Sequence, residues 1–417
     1  MIFFCKWHEG FLRQLLDAGK ELVLVLDEYD VTNAKVDESL LPRIAHVYRI
    51  RSFDSVESVA AIAADLLVRG VHIEQIVSWT EYSQYGAGVL AGILAPSNFS
   101  LPMAVAVRDK RWMKHLVRQA GIQTAAAFSI PDAADQATRD ALVKELRFPM
   151  VVKPVSGLGT STTYKVEDEG GLNACLDDIK NHYQAEFLQT RQLVAEEFIE
   201  GVEFHVDALW GADQEPLFFC ISQYYAPLLA TMGHRAVVGA VVVREDEEPA
   251  LYRDVREMNR RANAALGIRP GLTHMEVFRE EGSGKLYFSE IANRMGGANI
   301  SETMGCWAGW DLLQMWGHLL IDGPALRMPA FQPRFRHVGW INLLPTRSGK
   351  VSRVPSPEEI EAVPGVLMHE VVRGVGTELD LEHGSVWTLL LVIGADTPEA
   401  YRALMARVTE ELRIEVE

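Results

Sequence analysis

Short apolar runs alternate with amphipathic stretches along residues 1–108, and this alternation restricts the possible folds more than any other feature of the chain. Residues 22–26 are an apolar run of strand length and residues 73–79 are a further strand candidate, whereas residues 55–68 carry apolar side chains at helical spacing and precede Gly70. Strands that alternate with helices form βαβ units with parallel strands. The pattern therefore predicts an N-terminal parallel α/β domain.

Polar residues follow two of these predicted strands, where parallel sheets bind their ligands. They are Asp27, Glu28, Thr80, Glu81 and Tyr82. Ligands of such sheets lie beyond the carboxyl ends of the strands, so each of these side chains is a candidate for binding. The same residue types also cap helices, and capping is the interpretation that we favour for most of them.

The rest of the chain divides into two further segments. A length of 417 residues is long for one hydrophobic core, and the prolines of residues 324–333 mark a linker. Residues 109–332 contain the motifs described below. Residues 333–417 carry strand-like runs and a final helix, which is typical of an α+β segment. We therefore predict a multidomain protein of α/β and α+β segments.

The charge balance and the cysteines exclude several classes of protein. The chain has 40 basic and 57 acidic residues and a net charge of −17, whereas a nucleic-acid surface needs a basic stripe. The four cysteines form no C-x-x-C pattern, so zinc and thioredoxin-like sites are not indicated. No apolar run approaches the ~18 residues of a membrane helix. We expect a cytoplasmic protein that binds neither nucleic acid nor a membrane.

A glycine loop follows a predicted strand near residue 150. The strand delivers Lys153, Gly157 and Gly159 form the turn, and hydroxyl side chains follow. Glycines let backbone N–H groups approach phosphate oxygens, and the lysine neutralises charge. The order is neither that of a Walker A loop nor that of a dinucleotide fingerprint. On its own, the segment fits a hairpin turn as well as a polyphosphate site.

Acidic residues follow the apolar strand that begins at Leu193. Glu196 and Glu197 end this strand, and Glu203 comes after a turn at Gly201. Acids at such a junction can accept hydrogen bonds from an adenine amino group and from ribose hydroxyls. A charged hairpin turn is the alternative, and the motif alone favours it.

Lys110 lies in the first turn of a helix that starts at Asp109. Acids are preferred over cations at this end of a helix, because of the helix dipole. The lysine is therefore either an ordinary surface residue or a cation that reaches an anionic ligand.

Two glutamates lie on the predicted strands of one β-hairpin. Glu276 and Glu290 have apolar neighbours, and a glycine-rich turn at residues 281–284 separates them. Their even spacing allows both side chains to share a face, where two carboxylates repel unless cations lie between them. Mg²⁺ prefers carboxylate and phosphate oxygens. The alternative is a pair of solvated acids, which suits a half-buried sheet less well.

Arg294 follows the hairpin and precedes Gly296 and Gly297. Glycines let the backbone approach an anion, and arginine binds carboxylates and phosphates through two parallel hydrogen bonds. The motif indicates an anion site beside the hairpin.

The order of these motifs resembles that of the ATP-grasp superfamily of carboxylate–amine ligases, over about residues 105–305. The resemblance implies the ATP-grasp fold, with a mobile lid subdomain at about residues 122–195 that closes over ATP. It implies Lys110, Lys153, Gly157, Gly159, Thr160 and Ser161 at the phosphates, Glu196, Glu197 and Ile199 at adenine, and Glu203 at the ribose. It also implies Glu276 and Glu290 as ligands of Mg²⁺ or Mn²⁺, and Arg294 with Lys153 as catalytic residues.

One position departs from the family's pattern. The family has an Asn metal ligand two residues after the second Glu, but this chain has Ala292 there and Asn293 one residue later. A shift of one residue on a strand turns the side chain to the other face. Either water replaces this ligand, or Asn293 reaches the metal through a bulge.

The C-terminal segment resembles that of bacterial L-amino-acid ligases, the dipeptide synthetases, in its turns and spacing. The resemblance implies ATP-dependent formation of an amide bond through an acyl phosphate, with release of ADP and phosphate. The partners would be small carboxylates and amines, such as amino acids, and a homodimer stays open. The candidate substrate residues are His234, Arg235, Gly296, Gly297 and Trp307.

Three other functions stay open. An ATP-grasp carboxylase or a purine-pathway ligase would use the same motifs, although no biotin-carrier motif is evident. A regulator that binds ATP without catalysis would share the fold. The glutamate pair with Arg294 favours an enzyme, because binding alone does not require it.

Overall fold

The computed structural model describes residues 1–132, 135–157, 159–160, 162–181, 192–234, 237–381 and 386–417. Its N-terminal region is a parallel sheet between helices. The strands are β1 (Ile2–Cys5), β2 (Leu22–Leu26), β3 (His46–Arg49) and β4 (Gln75–Ser78). The helices are α1 (Glu9–Asp17), α2 (Glu28–Asn33), α3 (Val56–Val68), α4 (Gln84–Leu94) and α5 (Leu101–Ala106).

The N-terminal strands follow the order β3-β2-β1-β4, and neighbouring strands are parallel. All side chains of β1 and β2 are buried, because the sheet is covered on both faces. Phe3 packs with α3 and α4, while Phe4 faces the opposite side and contacts the ring of Phe11 in α1. The predicted parallel α/β fold is confirmed.

A smaller antiparallel sheet, here called the lid sheet, lies within the predicted lid and follows α6 (Lys110–Gln119). Its strands are β5 (Ala127–Ile130), β6 (Met150–Pro154), β7 (Tyr164–Val166) and β8 (Leu193–Glu197), in the order β5-β8-β6-β7. Helices α7 (Gln136–Glu145) and α8 (Glu169–Asn181) share a hydrophobic core with these strands. A unit with its own hydrophobic core can move as one body, which is compatible with a mobile lid. The mobility itself stays a prediction.

The largest sheet is antiparallel and runs in the order β13-β12-β9-β10-β11-β14-β18-β16. Its strands are β9 (Gly201–Trp210), β10 (Pro216–Tyr224), β11 (Val238–Val242), β12 (Gly271–Glu280), β13 (Leu286–Ala292), β14 (His337–Leu343), β16 (Val366–Val371) and β18 (Leu389–Ala395). The short strands β15 (Gly349–Arg353), β17 (Glu378–Leu379) and β19 (Glu415–Val416) pair beside it. The remaining helices are α9 (Pro249–Leu266), α10 (Ile300–Ala308), α11 (Leu312–Asp322), α12 (Pro357–Glu361) and α13 (Pro398–Glu411).

The C-terminal segment continues this large sheet. Strand β14 pairs with β11 on one side and with β18 on the other. The proline-rich connection before residue 333 therefore joins two segments that contribute strands to the same sheet. The N-terminal region packs on the same body, since Phe11 lies 5.4 Å from Trp316 between ring centres. In the described part of the chain, no helix is both long and apolar enough to cross a membrane.

Candidate functional site

The hairpin of β12 and β13 places Glu276 directly opposite Glu290, as Cα partners on neighbouring strands. Both glutamates line a cleft between the large sheet and the lid sheet. Lys110 Nζ lies 3.2 Å and Lys153 Nζ lies 4.0 Å from Glu290 Oε2. Burial alone would raise the pKa of Glu290, but the charges of both lysines outweigh it and lower the pKa to about 2. Glu290 is therefore ionised at neutral pH.

Lys110 begins α6 and is not a surface residue, because its side chain is 8% exposed. Asp109 caps the helix by accepting hydrogen bonds from the backbone N–H groups of Arg111 and Trp112. Lys110 Nζ donates a hydrogen bond of 2.9 Å to the Gly157 carbonyl. The lysine thus lies between the glutamate hairpin and the glycine loop.

Lys114 lies one turn further along α6, and it was not predicted as a site residue. Its Nζ is 3.4 Å from Glu196 Oε2, which Lys153 Nζ approaches to 3.0 Å. Burial lowers the pKa of Lys114 to about 8, although Glu196 opposes the shift. Burial acts on Lys153 in the same direction, but Glu196 and Glu290 outweigh it and raise the pKa of Lys153. Spacing of four residues from Lys110 is the feature that could have indicated Lys114.

The glycine loop closes one side of the cleft, which Gly157, Gly159 and Thr160 line. Gly159 and Thr160 both have a φ of 58°, in the left-handed region. This conformation is easy for glycine and strained for threonine, and such strain is common at ligand sites. The Thr160 hydroxyl donates a hydrogen bond of 2.7 Å to the Gly159 carbonyl. Ser161 lies outside the described residues.

The cavity in this cleft has a volume of about 400 Å³. Beyond the lysines it is lined by Glu196, Glu197, Ile199 and Glu203, and by the apolar side chains of Ala125, Val151, Phe198 and Phe288. Glu203 Oε2 accepts a hydrogen bond of 2.6 Å from the Leu228 N–H. Burial and the charge of Glu276 raise the pKa of Glu203. Apart from Ser161 and Asn293, the residues predicted for phosphates, base, ribose and metal thus line a single cavity.

Arg294 pairs with Glu81, which also pairs with Arg108. Burial would raise the pKa of Glu81, but the two arginines lower it to about 2. The capping interpretation fits Asp27, whose side chain caps α2, but it does not describe Glu81. Glu81 therefore belongs to the minority of these strand-end residues that do more than cap a helix. Arg108 is a functional candidate that sequence reasoning missed, because 27 residues separate it from Glu81 along the chain.

Two histidines lie close to the glutamate pair: His205 of β9 is buried, and His274 of the hairpin strand β12 is half-buried. Asp207 joins His205 and His274 through hydrogen bonds of 2.6 and 3.0 Å to their Nδ1 atoms. His274 Nε2 lies 3.8 Å from Glu276 Oε1. Burial would lower the pKa of His274, but Asp207 raises it to about 9. The alternation of these residues on β9 and β12, at spacings of two, places them on one face of the sheet.

A second cavity, of about 510 Å³, adjoins the first. The two cavities share Lys110, Gly157, Gly159, Thr160, Leu228, Glu276 and Glu290. The other walls include His8 and Trp79 from the N-terminal region, Arg294, Gly296 and Gly297 from the turn after β13, and Trp340 and Trp387 from the C-terminal segment. Arg235 and the His234 side chain lie outside the described residues. Ligands in the two cavities would meet at the glutamate pair.

Asn293 does not reach the glutamates. Its side chain is buried against Met103 of α5, with Nδ2 4.0 Å from the sulfur, while Ala292 faces the second cavity. The β-bulge of this hairpin lies next to Glu276 and not at Asn293. The interpretation of Asn293 as a metal ligand is therefore wrong, because strand alternation turns it to the opposite face.

Trp307 does not line the second cavity either. Its ring packs 4.6 Å from Phe331 and 6.4 Å from Phe218, in a separate surface groove. Ile300 of the same helix does line the second cavity, but seven helical residues, about 10 Å, separate it from Trp307. The assignment of Trp307 to the substrate pocket is therefore wrong.

Residues 146–302 match the family described as ATP-grasp domain. No curated protein sequence matches the chain. An L-amino acid ligase from Bacillus licheniformis has a TM-score of 0.75 at 18% identity, and the match covers 100% of this chain and 98% of the ligase. N5-carboxyaminoimidazole ribonucleotide synthetase from Thermus thermophilus has a TM-score of 0.66 at 16% identity, covering 99% and 98%.

The biotin carboxylase domain of the Hydrogenobacter thermophilus 2-oxoglutarate carboxylase has a TM-score of 0.67 at 16% identity. The match covers 99% of this chain and 90% of that domain, which was solved with MgADP, ADP and bicarbonate. At such identities the likeness shows the fold, and the predicted ATP-grasp architecture is confirmed.

Proposed function

We propose that the chain is an ATP-dependent carboxylate–amine ligase, starting from the match of residues 146–302 to the ATP-grasp domain family. It would form an amide bond and release ADP and phosphate. The observation that carries the proposal is the position of Glu276 and Glu290, which lie opposite each other where two cavities meet. Such a cleft can hold a nucleotide on one side and a second substrate on the other, with phosphoryl transfer between them.

ATP would occupy the first cavity. Its base would lie between the apolar walls beside β8, its ribose near Glu203, and its phosphates at Lys110 and Lys153. Lys110 holds the Gly157 carbonyl at 2.9 Å, so the glycine loop and the phosphates would be linked by one side chain. This arrangement supports the phosphate role over that of a simple hairpin turn.

Glu276 and Glu290 would hold Mg²⁺ or Mn²⁺. Two facing carboxylates supply hard oxygen donors, which suit these ions together with phosphate oxygens. When bound, the ion would offset negative charge on the phosphoryl group. Lys110 and Lys153, which now neutralise Glu290, would be free to turn to the phosphates.

The reaction would proceed in two steps. A carboxylate oxygen of the first substrate bonds to the γ-phosphorus of ATP while the bond to the β–γ bridging oxygen breaks, giving an acyl phosphate and ADP. The amine nitrogen of the second substrate then attacks the acyl carbon, loses a proton and displaces phosphate. Lys153 and Arg294 would offset the developing charge. Closure of the lid would exclude water from the acyl phosphate.

We propose amino acids as substrates, one as the carboxylate and another as the amine. The likeness to an L-amino acid ligase over the whole chain supports this choice. So does the second cavity, whose Trp79, Trp340 and Trp387 walls can contact an apolar side chain while Arg294 faces an anion. A carboxylase is the alternative, favoured by the likeness to a biotin carboxylase domain.

The test is a turnover assay with a substrate panel. The purified chain is given Mg·ATP with single amino acids, with pairs of amino acids, and with bicarbonate in a separate arm. We expect release of ADP and phosphate that depends on an amino-acid pair, and a product whose mass is the sum of both minus water. Formation of AMP and pyrophosphate, turnover with bicarbonate alone, or binding of Mg·ATP without any turnover would contradict the proposal.

A further inference from the structure

Lys114 is a buried cation that the proposed reaction does not use. Its side chain is 1% exposed. Its Nζ donates a hydrogen bond of 2.7 Å to the Ser289 carbonyl and lies 3.4 Å from Glu196 Oε2. The lysine therefore joins α6 to β8 of the lid sheet and to β13. Buried ion pairs often stabilise a fold no better than apolar side chains do, so stability alone is a weak reason for a lysine here.

The two carboxylate oxygens of Glu196, the partner of Lys114, differ in their contacts. Oε2 lies between Lys114 and Lys153, at 3.4 and 3.0 Å. Oε1 is buried and has no hydrogen-bond partner among the described residues. A buried acceptor without a donor is unfavourable, and a donor from a ligand would remove the penalty. Glu196 lines the first cavity beside the apolar walls that suit a flat ring.

Lys153 cannot hold Glu196 in place by itself. Its Nζ is also 4.0 Å from Glu290, and the phosphates of a nucleotide would compete for it. Among the described residues, Lys114 has Glu196 as its ion-pair partner, and the Ser289 carbonyl anchors it from the other side. Lys114 therefore keeps its contact with Glu196 when Lys153 turns to the phosphates.

We propose that Lys114 is a positioning residue that selects the base of the nucleotide. By holding Oε2, it keeps Glu196 Oε1 turned to the base, where that oxygen accepts a hydrogen bond from an exocyclic amino group. The ligand class is a purine nucleoside phosphate with a 6-amino group. A 6-oxo purine would instead place a carbonyl oxygen against the carboxylate. This inference rests on the proposed function, which places the nucleotide in the first cavity.

The experiment measures binding and needs no turnover. Titration calorimetry compares Mg·ADP with Mg·IDP, the 6-oxo analogue, on the wild-type chain, on Lys114→Met and on Arg118→Met. Arg118 is an exposed residue of the same helix and serves as the control. We expect the wild type and the control to prefer ADP by about 10- to 100-fold. Lys114→Met should reduce this preference to about threefold or less, mainly by lowering the affinity for Mg·ADP.

Selectivity separates positioning from a structural role. A purely structural role for Lys114 would lower the affinities for both nucleotides equally. An unchanged ratio of the ADP affinity to the IDP affinity would therefore overturn the inference. If Lys114→Met shows no cooperative thermal unfolding, Glu196→Gln replaces it. The amide can donate to a 6-oxo group, so the preference for ADP should again collapse, and a retained preference overturns the inference.

The same data distinguish this inference from the proposed function. A wild-type chain that binds neither nucleotide overturns both. A chain that binds ADP selectively but shows no ligase turnover contradicts the proposed reaction alone.

Discussion

Single charged side chains in the cleft form an alternating series of cations and anions. The series is Lys110, Glu290, Lys153, Glu196 and Lys114, with neighbours 3.0 to 4.0 Å apart. Buried charges are tolerated only when they are paired. Phosphates could replace Glu290 as the partner of Lys110 and Lys153 while a metal takes the Glu290 carboxylate, and Lys114 would keep its contact with Glu196. These five side chains can therefore accept a charged ligand without leaving a buried charge unpaired.

The substitution Glu290→Gln should abolish turnover and leave a folded chain. A neutral amide loses the charge that would bind the metal, and removal of such a group lowers rates by about 100-fold or more. Turnover is measured by ADP release, and folding by far-ultraviolet circular dichroism and cooperative thermal unfolding. Glu74→Gln, at an exposed position of the N-terminal region, serves as the control. Near-normal turnover of Glu290→Gln would remove this residue from the site.

Glu81→Gln should destabilise the fold in a pH-dependent way. The pKa of Glu81 is about 2 in the fold and 4.5 ordinarily, so its ionised form favours the folded state by about 3 kcal/mol. This contribution is present above about pH 4.5 and is lost as the pH falls toward 2. Urea unfolding at pH 7, 5, 4 and 3 should therefore show a gap between wild type and variant that narrows below pH 4.5. A gap that stays constant down to pH 3 would disprove the charge pairing with the arginines.

The turn after β13 contains Arg294 and the two glycines that follow it, Gly296 and Gly297. Gly296 packs against His274, so a methyl group there would lie 2.7 Å from the His274 Nδ1 and from Ile300. A methyl group on Gly297 would have no atom within 4 Å. Gly296 is therefore packed against His274 and Ile300, whereas Gly297 borders the open second cavity.

The variants Gly296→Ala and Gly297→Ala form a matched pair for this turn. Gly296→Ala should lower the free energy of unfolding by about 1–3 kcal/mol, because both contacts must shift. Gly297→Ala should change it by less than about 0.5 kcal/mol, since the space is open. Urea unfolding at pH 7 measures both. Equal effects of the two substitutions would contradict the close packing of His274 on Gly296.

Local patterns were sufficient to predict the hairpin and the strand before the glycine loop. Glu276 and Glu290 alternate with apolar residues around a glycine turn, and this pattern has one simple structural solution. The predicted helix start at Lys110 depends on Asp109, whose capping bonds are local as well. Elements whose cause lies within about ten residues could be predicted in this way.

Contacts between distant segments could not be predicted. Arg294 and Glu81 are 213 residues apart, and Lys114 and Ser289 are 175 residues apart. Their pairing depends on how whole segments pack, which spacing along the chain does not encode. The position of Trp307 relative to the second cavity could not be predicted for a related reason. The sequence of α10 does not show how far along the helix the cavity extends.

The whole molecule surrounds the cleft with three parts of the chain. The N-terminal region provides Trp79 and Glu81, the ATP-grasp region provides the glutamates, and the C-terminal segment provides Trp340 and Trp387. The last two are fixed because β14 and β18 extend the sheet that begins with the hairpin. A displacement of the C-terminal segment would therefore change the second cavity.

A chain that ends at residue 332 should not fold cooperatively. Its β11 would become an exposed edge, and buried side chains such as Trp340, Leu390 and Val392 would be lost from the core. We expect aggregation on size-exclusion chromatography and no sharp thermal transition, in contrast to the full chain prepared in the same way. A monomeric truncated chain with a cooperative transition would show that the C-terminal segment is an independent domain.

Under the proposed function, the common wall of the two cavities would make the cleft a target for bisubstrate inhibitors. A single compound that joins a nucleotide to a carboxylate mimic through a phosphoryl group would pass between Glu276 and Lys110, which border both cavities. Joining two ligands turns the second binding event into an intramolecular one. Such a compound would exceed the affinity of either half by about 10²- to 10⁴-fold without any new contact.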